Sequence, residues 1–373
     1  MSIRKNTLDL DSHYDLTKDG KNAYVGSTPL FAWGPNGSGQ LGQNDRINRS
    51  SPVQIPGTSW SAISGGAQGK HSLATKTDNT LWSWGYGSYG RLGQNTTTDI
   101  SSPVQIPGTS WSAISAGNNF SLATKTDNTL WAWGRNDDRG QLGQNTRTSV
   151  SSPVQIPGTQ WSSISAGDIH SLATKTDNTL WSWGYNSSGT LGLNDRAYRS
   201  SPVQIPGNVW SKIGAGGGHS LATKTDGTLW SWGRGSYGQL GQNDRIRYSS
   251  PVQIPGTTWN KISAGGEHSL ATKTDNTLWS WGYNSSGTLG QNTTTNVSSP
   301  VQIPGTSWSV INGERYHSFA TKTDNTLWAW GRNENGVLGQ SSTIQFSSPV
   351  QIPGTSWSSI SGGNYHSLAT QLI

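Results

Sequence analysis

The chain has 373 residues, no cysteine, 20 tryptophans and a formal net charge of +6. Without cysteine there is no disulfide framework and no thiolate metal site, and no window approaches the roughly 18 consecutive apolar residues of a membrane helix. Hydrophobic residues make up only 31%, but a buried Trp removes roughly 150–250 Å² from water, an upper estimate of about 4–6 kcal/mol at ~25 cal/mol/Å², so tryptophan can supply the core.

Residues 1–29 are polar and carry no apolar h-region, so a secretory signal peptide is not expected and synthesis in the cytoplasm is. This stretch stands outside the repeat that follows. It reads as an arm that is either flexible or an anchor docking onto a neighbour through Arg4, Lys5, Leu8, Leu10, Tyr14 and Leu16.

From residue 30 to 373 the chain repeats. A Trp-Gly step recurs at Trp33, Trp84, Trp133, Trp183, Trp232, Trp281 and Trp330, every 49–51 residues. A second Trp follows S-P-V-Q-I-P-G at Trp60, Trp111, Trp161, Trp210, Trp259, Trp308 and Trp357. Each unit holds four strand signals, P-V-Q-I, W-S-x-I, S-L-A-T and L-W-x-W, with Gly, Pro, Asn and Asp between them. T-D-N-T is a tight hairpin, because Asp-Asn tolerates positive φ; P-G-T is expected to be another turn. No segment shows a capped helical period. Four strands in about 50 residues, seven times, predict an all-β, seven-bladed β-propeller of four-stranded antiparallel blades, with a linear solenoid as the competing reading. The last repeat ends at residues 366–373 without an L-W-x-W strand, and the chain opens with one at 30–34. The N-terminal strand is therefore expected to complete the C-terminal blade and remove both open edges.

Alternate connections of such blades lie on opposite faces. One face is nearly constant and carries K-T-D six times, from Lys76/Asp78 to Lys322/Asp324. The other carries most of the variation among repeats: Arg46, Arg49, Tyr86, Tyr89, Arg135, Arg139, Tyr185, Arg196, Tyr198, Arg199, Arg234, Tyr237, Arg245, Arg247, Tyr248, Tyr283, Arg315, Tyr316, Arg332 and Tyr365. Tyr and Arg set among Ser, Gly and Asn form the composition of a protein-recognition surface. Loops also vary where nothing constrains them.

Signs of chemistry are sparse. Residues 85–90 and 233–238 fit G-x-G-x-x-G, but no helix follows to hold a pyrophosphate. His71, His170, His219, His268, His317 and His366 recur before S-x-A-T, with Phe120 in the remaining repeat. That Phe replaces one of them favours packing or a hydrogen bond over a metal ring. Only three Glu occur, Glu267, Glu314 and Glu334, and no carboxylate pair recurs at a general acid–base spacing. N-D-R-x-x-R or a relative occurs in three repeats, too dispersed a charge for a nucleic-acid footprint. No catalytic residue, cofactor, metal, nucleic-acid partner or membrane insertion is expected.

W-G-x-N-x-x-G-Q-L-G, S-S-P-V and I-S-A-G-x-x-H-S-L-A-T, in register seven times, resemble the regulator-of-chromosome-condensation repeat. The resemblance covers residues 30–373 and implies a seven-bladed propeller with a mixed closing blade. That family includes a guanine nucleotide exchange factor, bacterial inhibitors of β-lactamase and proteins of bacteriophage particles, so it says more of fold than of function. Three functions follow as expectations. The leading one is a non-enzymatic structural or recognition propeller binding protein partners, in a larger assembly such as a phage virion. The second is a multivalent lectin binding surface glycans. The third is a nucleotide-exchange-like regulator.

Overall fold

The computed structural model describes residues 28–372 other than 67, 68 and 138. Their strands form seven four-stranded antiparallel sheets arranged as the blades of a propeller. Blade one is typical, with Trp60–Ser64, His71–Lys76, Leu81–Gly85 and Ile100–Ile106 running from axis to rim. Blades two to six begin in the same way at Trp111, Trp161, Trp210, Trp259 and Trp308. The first strands of neighbouring blades touch round the full circle, Trp357–Gly362 meeting Trp60–Ser64. The anchor residues expected in the 1–29 arm, Arg4, Lys5, Leu8, Leu10, Tyr14 and Leu16, lie outside the described residues.

The T-D-N-T hairpins form as their chemistry dictates. Asn79 takes φ 61°, and Asp78 Oδ1 accepts the Thr80 N–H at 3.0 Å. P-G-T behaves differently from the expectation. The S-S-P-V-Q-I strand pairs with the L-W-x-W strand before it, Leu81 opposite Ile106 and Gly85 opposite Ile100. P-G-T therefore crosses between blades. The crossing is fastened where the Trp111 N–H donates to the Asn79 carbonyl of the previous blade at 3.0 Å.

The closing blade carries the same phase. It consists of Trp357–Gly362, Ser367–Gln371, Leu30–Gly34 and Arg49–Ile55. Strand 30–34 completes the C-terminal blade, with Leu30 opposite Thr370 and Trp33 opposite Ser367. The shift in phase brings a second N-terminal strand, Arg49–Ile55, to the rim, so the blade is closed two strands to two.

The core lies between blades. Leu122, Leu130 and Ile156 of blade two pack against Trp161, Ala173 and Trp183 of blade three. The buried indole of Trp183 donates to the Gln141 carbonyl in the preceding blade's loop at 2.8 Å. The same hook recurs at all seven W-G steps, from Trp33 to Val337 O round to Trp330 and Thr288 O. It accounts for the Gly of Q-L-G: Gly143 sits at φ 68°, and a Cβ there would lie 2.8 Å from the Trp183 indole nitrogen.

The histidines form a second inter-blade tie. His170 Nε2 meets Ser220 Oγ of the next blade at 3.0 Å, and Ser220 donates to the Thr190 carbonyl at 2.9 Å. The serine proton is thereby committed, so the imidazole carries its proton on Nε2. Burial holds these rings far below their ordinary titration range, His170 at about 4 and His219 and His366 at about 3. They are neutral structural groups.

Candidate functional site

The strand order puts the A-G-x-x-H loops and the long W-G…S-S-P connections together on one face, where the Tyr86 N–H donates to the Lys70 carbonyl and the Arg234 N–H to the Gly218 carbonyl. The tyrosines and arginines of these loops stack on one another. Over blades four to six, Arg234 pairs with Glu267 at 2.8 Å and lies over the Tyr237 ring at 5.4 Å. Tyr237 packs edge-on against Tyr283 at 5.0 Å, and Tyr283 lies 6.4 Å from Tyr316. Arg315 and Arg332 both lie over the Tyr316 ring, at 5.1 and 5.2 Å. Arg332 is also paired with Glu334. This is one connected patch of half-exposed aromatic and guanidinium planes. Such cation–π and edge-on contacts fix side chains that would otherwise lose rotamer freedom on binding.

A second cluster covers blades one to three. Arg91 is buried, stacked 4.6 Å from the Tyr86 centroid and bonded to the Asn118 carbonyl at 2.8 Å; burial lowers its pKa to about 10. Tyr89 lies under Arg135 at 4.8 Å. Tyr185 meets Arg139 at 5.1 Å and Tyr198 at 4.9 Å. Tyr365 lies under Lys70 at 5.9 Å.

The N-D-R-x-x-R loops divide into two jobs. Their second arginine is spent internally. Arg49 bonds Asp45 at 2.7 Å and the Ile47 carbonyl at 2.9 Å, and Arg199 repeats the pairing with Asp195. Tyr248 takes that role in its loop, its hydroxyl 2.6 Å from Asp244. The pinned loops hold Arg46, Arg196, Arg245 and Arg247 outward. Between them, at equivalent loop positions, stand Ile47, Ile246 and Ile344, 62%, 58% and 66% exposed. Sequence reasoning missed these isoleucines, although the comparison of N-D-R-I with N-T-T-T shows them.

Two further features were not foreseen. The K-T-D lysines do more than offset aspartates: Lys125 Nζ sits 4.9 Å from the Trp111 ring and 4.4 Å from the Trp131 ring, and each such lysine bridges two indoles. On the axis, blade six places the buried Glu314 where other blades have Gly. Among the described residues no group of three or more His, Cys, Asp or Glu is arranged to hold a metal, and no helix is long and apolar enough to cross a membrane.

Comparison with known proteins agrees with this architecture. The family described as the RCC1-like domain matches residues 16–315, and the regulator of chromosome condensation (RCC1) repeat matches residues 324–370. Human E3 ubiquitin-protein ligase HERC2 is 31% identical over 108 residues, 26% of this chain and 2% of that protein. The Arabidopsis thaliana ultraviolet-B receptor UVR8 is 33% identical over 81 residues, 21% of this chain and 18% of that protein. The aligned segments thus span a small part of these relatives. Among solved structures, human WBSCR16 superposes with a TM-score of 0.83 at 22% identity, over 92% of this chain and 99% of its own. Prp20p from Saccharomyces cerevisiae, whose structure was described with its binding properties to Gsp1p and histones, gives 0.85 at 21% identity, over 93% and 92%. Both are alike in fold. With more than half its length matched by the family, this chain belongs to the RCC1-like domain family.

Proposed function

We propose that this propeller is a non-enzymatic recognition module that docks a protein partner on its variable face. The observation that carries the reading is the continuous stack Arg234–Tyr237–Tyr283–Tyr316–Arg332, half-exposed and braced by its own neighbours, beside a rim of exposed isoleucines. Tyr and Arg are the residue types that dominate binding hot spots. The stack is ordered before any partner arrives, which lowers the entropic cost of association. A protein partner also fits the one stated for the similarly folded yeast Prp20p, which concerns that protein alone. Membership of a virion rests on the repeat resemblance only, and the proposal stands without it.

The test is affinity capture from the source organism with three baits: the intact chain, Tyr283→Ala/Tyr316→Ala, and Lys125→Ala/Lys273→Ala on the opposite face. A partner retained by the first and third and lost by the second supports the proposal. A partner retained equally by all three contradicts it. Adding candidate small GTPases and following nucleotide release examines the exchange-factor reading in the same preparation.

One observation favours glycan binding as a second reading. Equivalent grooves between neighbouring blades, of about 460, 500 and 250 Å³, are floored by Trp111/Trp131, Trp210/Trp230 and Trp308/Trp328. Aromatic floors with polar edges suit sugar rings. Saturable binding on a glycan array, abolished by Trp131→Ala/Trp230→Ala/Trp328→Ala, would establish it; a blank array removes it.

A further inference from the structure

All seven blades meet on the axis, and two depart from the common pattern there: blade four has Gly214 in place of a serine, and blade six carries a carboxylate. In five blades a serine near the end of the innermost strand accepts a backbone N–H of the next blade. Ser64 takes Ala116, Ser115 takes Ala166, Ser165 takes Ala215 and Ser263 takes Gly313, each at 2.9 Å, and Ser361 takes Gly65 at 3.0 Å. Blade six reads Asn312-Gly313-Glu314 where blades two and three read Ser-Ala-Gly. There Glu314 Oε1 takes over the serine's task, accepting the Gly362 N–H at 2.7 Å.

The remaining oxygens are left over. Glu314 is fully buried, and its Oε2 has no hydrogen-bond partner; the buried Oδ1 of Asn312 has none either. Both residues line an axial cavity of about 150 Å³, walled otherwise by Ser, Ala, Gly and Ile of the seven innermost strands. Each of the two side chains that line it thus carries one unpartnered oxygen. None of the described ion pairs includes Glu314, and burial, opposed by the Gly362 hydrogen bond, pushes its carboxyl up to about 8.

The intrusion also has a local consequence. A Cβ at Gly167 would lie 2.7 Å from the ring of His170. Glu314 carries a Cβ at the equivalent place, and His317 is the histidine whose Nε2 has no partner. The ring gives up one inter-blade bond to hold a carboxylate on its axis.

A buried carboxylate beside a bare amide oxygen and serine hydroxyls rejects anions and leaves an apolar guest facing unpaired acceptors. It matches a group with one positive charge and several N–H donors, which is a primary ammonium. A water molecule takes roughly 30 Å³ of liquid, so the cavity has room for about five heavy atoms. We propose that the axial cavity binds a small alkylammonium ion, with Glu314 Oε2 as counter-charge and Asn312 Oδ1 as second acceptor. The site is independent of docking on the variable face.

The test is calorimetric titration of the full chain with methylammonium chloride at pH 9 and constant ionic strength, against tetramethylammonium and potassium chloride. Two variants accompany it. Glu314→Gln keeps the shape and removes the charge. Asn312→Ser/Glu314→Gly restores the sequence pattern of the other blades, so the ring keeps its fold. The expected result is saturable one-to-one binding of methylammonium, weakened at least tenfold in both variants, with no response to tetramethylammonium, which has no N–H to donate. Absence of saturable binding, equal binding by the double variant, an equal tetramethylammonium response, or tighter binding of potassium would each overturn the assignment.

Discussion

His268 Nε2 lies 2.8 Å from the Ser318 hydroxyl of the next blade, and that hydroxyl donates to the Thr288 carbonyl at 2.8 Å. The imidazole must therefore be neutral and protonated on Nε2. Burial lowers the folded pKa of His268 to about 4, against 6.5 when exposed, and the other five ring histidines are lowered in the same sense.

Acid lability follows from the sign of these shifts. The unfolded chain binds protons that the folded chain refuses, so the stability is whole above about pH 6.5 and falls as pH drops toward the folded values. Six histidines, at ~1.4 kcal/mol per pH unit each, give a slope of about 8 kcal/mol per unit. Urea midpoints measured from pH 8 to 5 are expected to collapse once the pH falls below 6.5. A flat profile down to pH 5 would show the rings to be accessible or charged.

Phe120 occupies the histidine position of blade two, and Ser171 in the next blade donates to the Gln141 carbonyl as its counterparts do. Phe120→His is expected to leave stability at pH 8 within about 1 kcal/mol, since a new hydrogen bond offsets lost apolar burial. It should steepen the acid slope by ~1.4 kcal/mol per pH unit. An unchanged slope in the same urea series would contradict the role given to the ring.

Glu314 acts in the opposite direction on the pH axis. Its folded pKa is raised, to about 8 from 4.5, so ionising it favours the unfolded chain. Its own contribution to stability is full below about pH 4.5 and is lost as pH rises toward 8. In amine-free buffer the advantage of Glu314→Gln over the wild type should widen by about 2 kcal/mol from pH 6.5 to pH 9 and level off above about pH 8. Equal melting temperatures at pH 9 would mean that the carboxyl is solvated or paired.

The seven-bladed count, the hairpin turns and the joining of strand 30–34 to the C-terminal blade are legible because tryptophan marks every unit in register. The phase of the blade is not. A repeat defines its unit only up to a cyclic shift, and P-G-T serves a hairpin or a crossing equally well until the Trp111–Asn79 bond is seen. The variable face is legible from its Tyr and Arg, but not which of them are free. Asp45 and Asp195 sit four residues before Arg49 and Arg199, a spacing that could have marked both arginines as internal. The place of Glu314 on the axis is not legible, because it stands just past the end of the innermost strand, where the strand alternation carries no signal.

The Trp183–Gln141 bond ties blade three to blade two. Trp183→Phe keeps most of the ring surface and removes the donor, at an expected cost of about 1–3 kcal/mol. Hydrogen exchange should rise along 141–143 and 180–184 and stay unchanged in blades five and six. A uniform rise instead would mean that the ring opens as a whole.

The central claim is that the partner sits on the variable face. Hydrogen exchange of the full chain, alone and with its captured partner, measures this directly. The account predicts slower exchange in the loops around Tyr237, Tyr283, Arg315–Tyr316 and Arg332, with the hairpins at Asp127–Asn128 and Asp275–Asn276 unchanged. Protection confined to those hairpins, or to the rim strands, would place the interface elsewhere and contradict it.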